Sequence, residues 1–180
     1  MLAGKNILLS GTTGFLGKVV LSMLLRRYPQ VGRVYTLIRP GISDKARERF
    51  NKGVATSPAM EPAETLPWRW FVGVLCPERW CPSTAMSSEH CGIGAQDLGR
   101  IEAEGGLDLI LNSAGLVDFD PPVDQALGIN ALGIQNLVAL SRHFDAALLH
   151  VSTCFVAGGQ SRHRSPKDDP IIDRSPVPIA

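Results

Sequence analysis

The apolar positions of the first forty residues predict a strand, a helix and a second strand in succession. Residues 6–10 form a short, mostly apolar run that is typical of a buried strand. Residues 15–28 repeat apolar side chains at helical spacing and end with Arg26 and Arg27, which suit the negative end of a helix dipole. Residues 33–38 form a second apolar run. With the glycine-rich turn between strand and helix, the pattern predicts a βαβ unit with parallel strands and a right-handed crossover.

The middle of the chain has a weaker pattern. Residues 43–52 are charged and predict a helix, but residues 53–94 show no clean period and contain five prolines. We interpret residues 53–94 as a loop or an irregular insertion, with a third strand near residues 70–75 as the alternative. A structureless segment of this length is unusual inside a compact domain.

Regular patterns return in the last third of the chain. They predict a short helix, a buried strand, a long helix and a further strand, at residues 97–104, 107–112, 122–144 and 147–152. The whole order predicts an α/β fold, a Rossmann-type doubly wound parallel sheet truncated after the fifth strand with one edge exposed. We therefore expect one Rossmann-type domain at residues 1–158, irregular at 53–94, and a polar, proline-rich tail at 159–180.

Composition narrows the function classes. The 180 residues carry a formal net charge of +1 and 6% aromatic residues, which argues against nucleic acid as a partner. The longest dense apolar stretch, residues 19–25, is far shorter than the roughly 20 residues of a membrane span, and no secretory signal is evident. We expect a cytoplasmic protein without a transmembrane segment; peripheral docking on a membrane and the oligomeric state stay open.

The four cysteines do not predict a metal site. Cys76, Cys81 and Cys91 lie near His90, but their spacing matches no common zinc pattern. Reduced thiols are expected in a chain without a secretory signal. Cys154 has no evident base or helix N-terminus beside it, so we interpret it as a small apolar residue instead of a nucleophile.

Three glycines carry the strongest chemical signal. Gly11, Gly14 and Gly17 stand in a G-x-x-G-x-x-G pattern between the first predicted strand and its helix. Gly11 would permit the tight turn, Gly14 would let backbone N–H groups approach a pyrophosphate, and Gly17 would let the helix pack on the strand. The pattern predicts dinucleotide binding; a merely structural turn is the alternative.

Two arginines favour NADP(H) over NAD(H). Arg39 follows the second strand, where a site that prefers NAD tends to place an acidic residue for the ribose hydroxyl. A guanidinium suits a 2′-phosphate through paired charge-assisted hydrogen bonds. Arg49 lies ten residues further on and is a second candidate partner. The alternative is that both arginines are solvated surface residues.

Small polar residues follow the two later strands. Residues 112–115 (Asn-Ser-Ala-Gly) end one strand, where small side chains would let the adenosine and ribose of a cofactor pass close by. Ser152 and Thr153 end the next strand, where a hydroxyl can polarise a substrate carbonyl for hydride attack. Both features also occur at ordinary strand ends.

Several segments in order resemble the fatty acyl-CoA reductases, which are extended short-chain dehydrogenase/reductases akin to the thioester reductase domains of peptide synthetases. The similar segments are residues 4–20, 34–40, 114–120, 126–133 and 151–153. The resemblance implies hydride transfer from NADPH to an acyl-CoA or other acyl thioester, giving an aldehyde or an alcohol. The residue roles that it implies are pyrophosphate contacts at Thr13, Gly14, Phe15 and Leu16, 2′-phosphate contacts at Arg39 and Arg49, a cofactor wall at Ser113, Ala114 and Gly115, a backbone-shaping asparagine at Asn130, and a catalytic hydroxyl at Thr153.

Two departures from that family matter. Its acid–base pair, Tyr-x-x-x-Lys, is absent, since the only tyrosines are Tyr28 and Tyr35. The expected Gly-Asp pair after the third strand is also missing. We therefore expect a fragment that is inactive alone. The alternatives are another extended reductase, such as a sugar-nucleotide epimerase, and a non-catalytic NADP-binding protein.

Overall fold

A single parallel sheet organises the protein. The computed structural model describes residues 2–38, 45–63, 72–75, 89–118 and 120–152, so that Arg39, Thr153 and the tail at 159–180 lie outside the described residues. Five strands pair in parallel in the order β3-β2-β1-β4-β5. Their bounds are β1 Ile7–Ser10, β2 Val34–Leu37, β3 Val72–Leu75, β4 Leu109–Asn112 and β5 Ala147–His150.

Helices follow the strands as the sequence patterns predict. The first crossover helix and the last long helix have the predicted positions, and the boundaries differ by a few residues. The helices are α1 Phe15–Arg27, α2 Ala46–Phe50, α3 Ala95–Ala103, α4 Val123–Leu127 and α5 Gly133–Phe144. Wider π-helical turns, Asn51–Ala55 and Gly128–Leu132, continue α2 and join α4 to α5. Short 3₁₀ helices span Pro58–Ala63 and Glu89–Gly92.

The sheet has a core on each face. Alternate residues of a strand point to opposite faces, and β1 shows this directly. Ile7 and Leu9 are fully buried in the cluster that includes residues of α1 and α2. Leu8 is fully buried in a second cluster that includes residues of α3 and α5. Helices therefore cover both faces of the parallel sheet, which confirms the doubly wound α/β prediction.

The loop interpretation of residues 53–94 is wrong in part. Val72–Leu75 pairs in parallel with β2, with Val34 opposite Val72, so the third-strand alternative is correct for these four residues. Met60, in the 3₁₀ helix that contacts α1, is fully buried in the first core. Long-range pairing and packing order these short pieces, and neither leaves a local period in the sequence.

The long helix predicted at 122–144 is continuous but packs unevenly. Leu137 and Leu140 of α5 are buried, whereas Val123 and Leu127 of α4 are 81% and 55% exposed. In the described part of the chain, α5 lies on β4 and β5, while α4 mainly contacts the π-helical turn that follows it. None of the helices in the described ranges is long and apolar enough to cross a membrane.

Candidate functional site

A cavity of about 300 Å³ opens at the carboxyl-terminal edge of the sheet, between the ends of β1 and β4. The chain crosses to one face of the sheet after β1 and to the other face after β4, so the cavity lies where ligands bind in open α/β sheets. Its wall combines the glycine turn, the segment after β4 and one side of α5. The lining residues include Ser10, Gly11, Thr13, Gly14, Leu37, Cys91, Asn112, Ser113, Ala114, Gly115, Leu116 and Leu137.

The glycine turn fits tightly between β4 and α1. Gly11 has a φ of +81°, and a Cβ there would lie 2.6 Å from the backbone N of Ala114. A Cβ on Gly17 would lie 2.2 Å from the carbonyl oxygen of Gly11. Gly17 therefore lets α1 approach the turn that directly follows β1. The requirement for glycine at both positions is steric.

Helix α1 presents its positive end at this turn. Its N-cap is Gly14, no side chain caps its first turn, and no acidic residue occupies that turn. Thr13, Phe15 and Leu16 are exposed, and Phe15 is exposed over 84% of its surface. The free backbone donors and the helix dipole suit an anion such as a pyrophosphate.

A buried hydroxyl without a partner lies inside the same turn. The Oγ1 of Thr12 is fully buried and has no hydrogen-bond partner among the described residues. Most buried polar atoms in folded proteins are paired. Thr12 is not among the residues that line the cavity, so its unpaired hydroxyl lies beneath the turn and not on the cavity wall.

The segment after β4 is held by side chains. The Ser113 hydroxyl donates to the carbonyl oxygen of Ser10 at 2.9 Å, and the Ala114 N–H donates to Asn112 Oδ1 at 3.2 Å. The Ser10 hydroxyl donates to the same Asn112 oxygen. Ala114 and Gly115 remain exposed. This arrangement joins the ends of β1 and β4 into one fixed wall beside small residues.

Asn130 clamps the next part of that segment. Its Oδ1 accepts the Leu116 N–H at 2.8 Å, and its Nδ2 donates to the Leu116 carbonyl at 3.0 Å. Asn130 lies in the π-helical turn Gly128–Leu132, a distortion that occurs often at functional sites. The structure thus gives Asn130 a backbone-shaping geometry; its role in catalysis stays a prediction.

Replacing Asn130 by alanine is expected to free the backbone at Leu116, because both of its side-chain hydrogen bonds disappear. The lost hydrogen bond should lower the free energy that protects the Leu116 amide by about 1 kcal/mol, which corresponds to roughly fivefold faster exchange of its hydrogen. Hydrogen exchange monitored by NMR measures this directly. Gln135→Ala, at an exposed position of α5, is the matched control and should leave that exchange unchanged. Unchanged Leu116 protection in Asn130→Ala would show that the clamp is not formed in solution.

Cys91 forms part of the cavity wall, which the sequence did not suggest. Burial raises the pKa of its thiol to about 12, so the thiol stays protonated at neutral pH and is a poor nucleophile. Cys91 and His90 both have a φ of 59°, in the left-handed region. Leu37 and Leu137 also line the cavity. The apolar face of α5 was the available signal for Leu137, whereas nothing local marks Cys91.

The predicted site residues fall into three groups. The structure brings Gly11, Thr13, Gly14 and the segment 113–115 together around the cavity, with Phe15, Leu16 and Gly17 next to them and Asn130 behind the wall. Arg49 is half-buried on α2 and is not among the lining residues. Arg39 and Thr153 lie outside the described residues. Among the described residues, no group of His, Cys, Asp and Glu side chains could hold a metal ion.

A comparison with models of known protein families shows to which family this chain belongs. The model of the Male sterility protein family, an NAD-binding family, matches residues 9–174. The chain belongs to this family.

Relatives of this family member include fatty acyl-CoA reductases, which confirms the resemblance seen in the sequence. Fatty acyl-CoA reductase 1 of Arabidopsis thaliana is 31% identical over 163 residues, covering 88% of this chain and 33% of the reductase. Fatty acyl-CoA reductase 8 of Arabidopsis thaliana is 29% identical over 160 residues, covering 87% of this chain and 32% of the reductase. The family member therefore spans about a third of the length of these curated relatives.

A solved structure gives the same picture of the fold. The reductase domain of a non-ribosomal peptide synthetase from Mycobacterium tuberculosis has 26% sequence identity and a TM-score of 0.62, covering 83% of this chain and 33% of that domain. The Rossmann-type prediction is thus confirmed by an independent fold comparison.

Proposed function

We propose that this chain is the NADP(H)-binding portion of a reductase that acts on fatty acyl-CoA or another acyl thioester and gives an aldehyde or an alcohol. The observation that carries the proposal is the cavity between the glycine turn and the end of β4, in a member of a family whose relatives are named fatty acyl-CoA reductases.

The residues around the cavity suit a dinucleotide. The first turn of α1, at Gly14 to Leu16, would hold the pyrophosphate through backbone N–H groups and the helix dipole. Thr13 lies on the cavity wall beside this turn. Ser113, Ala114 and Gly115 would line the path of the ribose and adenosine, because small side chains there leave room for a flat ligand.

A polarising hydroxyl completes the proposed chemistry. When bound, the reduced nicotinamide supplies a hydride to the thioester carbonyl. Thr153 follows the end of β5 in the sequence, where its hydroxyl would donate a hydrogen bond to that carbonyl oxygen and stabilise developing negative charge. β5 ends at the same edge of the sheet as β1 and β4, because all three strands are parallel.

Replacing Arg39 by alanine is expected to remove the preference for NADPH. Calorimetric titration of the chain should give tighter binding of NADPH than of NADH, and the variant should lose about 10-fold to 100-fold in NADPH affinity, the range for charge-assisted hydrogen bonds to a phosphate. NADH affinity should not change. Arg27→Ala, at an exposed position at the far end of α1, is the control and should bind both cofactors normally. Equal affinities for NADPH and NADH before mutation would exclude Arg39 as a phosphate ligand.

A second candidate is a non-catalytic NADP(H)-binding protein. The 180 residues contain no Tyr-x-x-x-Lys sequence, the pair that would supply the proton in the related reductases. The assay that could exclude it is the oxidation of NADPH by this chain with palmitoyl-CoA, followed through the absorbance of the reduced nicotinamide at about 340 nm. We expect binding without turnover; turnover above the protein-free rate would exclude the non-catalytic candidate.

A further inference from the structure

The orientation of the Asn112 side chain is fixed by backbone groups that have only one hydrogen-bonding role. The N–H of Ala114 can only donate, so the atom 3.2 Å away is the side-chain oxygen, Oδ1. The carbonyl of Ala114 can only accept, and it faces the nitrogen, Nδ2, at 3.4 Å. The Ser10 hydroxyl also bonds to Oδ1. These partners leave the amide nitrogen of Asn112 turned toward β5.

His150 meets that nitrogen across the sheet. Asn112 and His150 are register partners in the parallel pair β4–β5, and Asn112 Nδ2 lies 2.9 Å from His150 Nδ1. Since Nδ2 is a donor, Nδ1 must accept and therefore carries no proton. His150 is exposed at the end of β5, and Asn112 is its hydrogen-bond partner in the described part of the chain.

We propose that His150 is a positioning residue for the cavity, with unprotonated Nδ1 holding Asn112 and thereby the Ser10–Ala114 wall. Protonation turns Nδ1 into a donor that faces another donor, so either the imidazole leaves or the amide flips. A flipped amide would place its N–H₂ against the Ala114 N–H. The wall loosens in both cases, and dinucleotide affinity falls as the pH falls. The affinity part rests on the proposed function, whereas the loosening does not.

Among the described residues, the other charged groups near β5 lie at its opposite end and include Asp108 and Asp145. β4 carries no ionisable side chain between Leu109 and Asn112. α5, which packs on β5, carries Arg142 and His143 in its last turn, next to the start of β5. His143 forms a 3.0 Å pair with Glu102 and is a second ionisable imidazole on an element that packs against β5. The test must therefore separate His150 from His143 by substitution.

Two variants isolate the proposed hydrogen bond. In His150→Asn, the side-chain oxygen replaces Nδ1 as an acceptor that does not titrate. In His150→Leu, no acceptor remains. The measurement follows the ¹⁵N–¹H resonance of Ala114 in the free 180-residue chain from about pH 8 to about pH 5.5. We expect this resonance to move in the wild type and to stay constant in both variants. A constant Ala114 resonance in the wild type, or the same titration in His150→Asn, would overturn the proposal.

Cofactor affinity then tests whether the movement reaches the cavity. Calorimetric NADPH dissociation constants of wild type and His150→Asn should agree at the high pH, and the wild type should bind about fivefold more weakly at the low pH, the effect of one neutral hydrogen bond. The 2′-phosphate also titrates near pH 6, but equally for both proteins. His150→Leu should bind weakly at both values. If the ratio of the wild-type dissociation constant to that of His150→Asn does not change with pH, the proposed effect on NADPH affinity is wrong. Absence of binding by any protein at the high pH would contradict the proposed function, and the Ala114 titration would still decide the positioning role.

Discussion

Gly17→Ala is expected to lower the free energy of unfolding by about 3 kcal/mol, the upper part of the range for overpacking. The added Cβ would lie 2.2 Å from the carbonyl oxygen of Gly11 and 2.7 Å from the Cα of Thr12. Both neighbours are backbone atoms, so no side chain can rotate away. α1 must then retreat from the turn, which separates its positive end from the cavity. The variant should therefore also lose cofactor binding.

Gly99→Ala is the matched control for this prediction. Gly99 also lies inside a helix, α3, but a Cβ there would meet nothing within 4 Å. Alanine is a better helix former than glycine by up to about 1 kcal/mol, so the control should be slightly more stable than the wild type. Urea denaturation of the three proteins measures the difference. If the free energy of unfolding of Gly17→Ala lies within about 1 kcal/mol of the wild-type value, the close packing of turn and helix is not present in solution.

Asn6→Ala is expected to cost about 3 kcal/mol of stability through a different mechanism, the loss of buried hydrogen bonds. Asn6 is 7% exposed, and its side chain donates to the carbonyls of Glu104 and Gly106 at 3.0 and 2.9 Å. Its Oδ1 accepts the Arg33 N–H at 2.9 Å. Alanine would leave these three backbone groups, which come from the start of β2 and the α3–β4 turn, without that partner.

The position of Asn6 makes a second readout possible. Asn6 precedes β1 at the amino-terminal edge of the sheet, opposite the cavity, so NADPH affinity of the folded variant should stay within about twofold of the wild type. Asn51→Ala, at an exposed position, is the control and should change stability by less than about 0.5 kcal/mol. Urea denaturation and calorimetric titration give the two quantities. An Asn6→Ala variant as stable as the control would contradict the hydrogen-bonding scheme.

The features that the sequence predicted well are local ones. The strand, glycine turn and helix at the start of the chain each leave a period or a turn signature within a few residues, and the structure confirms them as β1, the turn and α1. The cavity wall after β4 also followed from a general rule, because parallel strands bring their carboxyl ends to one edge.

The missed features depend on contacts between distant segments. β3, which the sequence offered only as the alternative to a loop, is a four-residue strand that is defined by its pairing with β2, and no local period indicates that pairing. The pair formed by Asn112 and His150 joins residues 38 positions apart, which become neighbours only through the register of β4 and β5. The exposure of Val123 and Leu127 has the same origin, because periodicity shows which side of a helix is apolar but not whether another element covers it.

Chemical-shift mapping with NADPH tests most directly the central claim that the cavity at the carboxyl edge of the sheet holds the cofactor. The account predicts that the backbone amide resonances of residues 11–17 and 113–116 shift on titration, while those of Asn6, Gly32 and Gly106 at the opposite edge stay in place. Binding with shifts confined to the opposite edge, or no shift in the glycine turn at saturating NADPH, would contradict it.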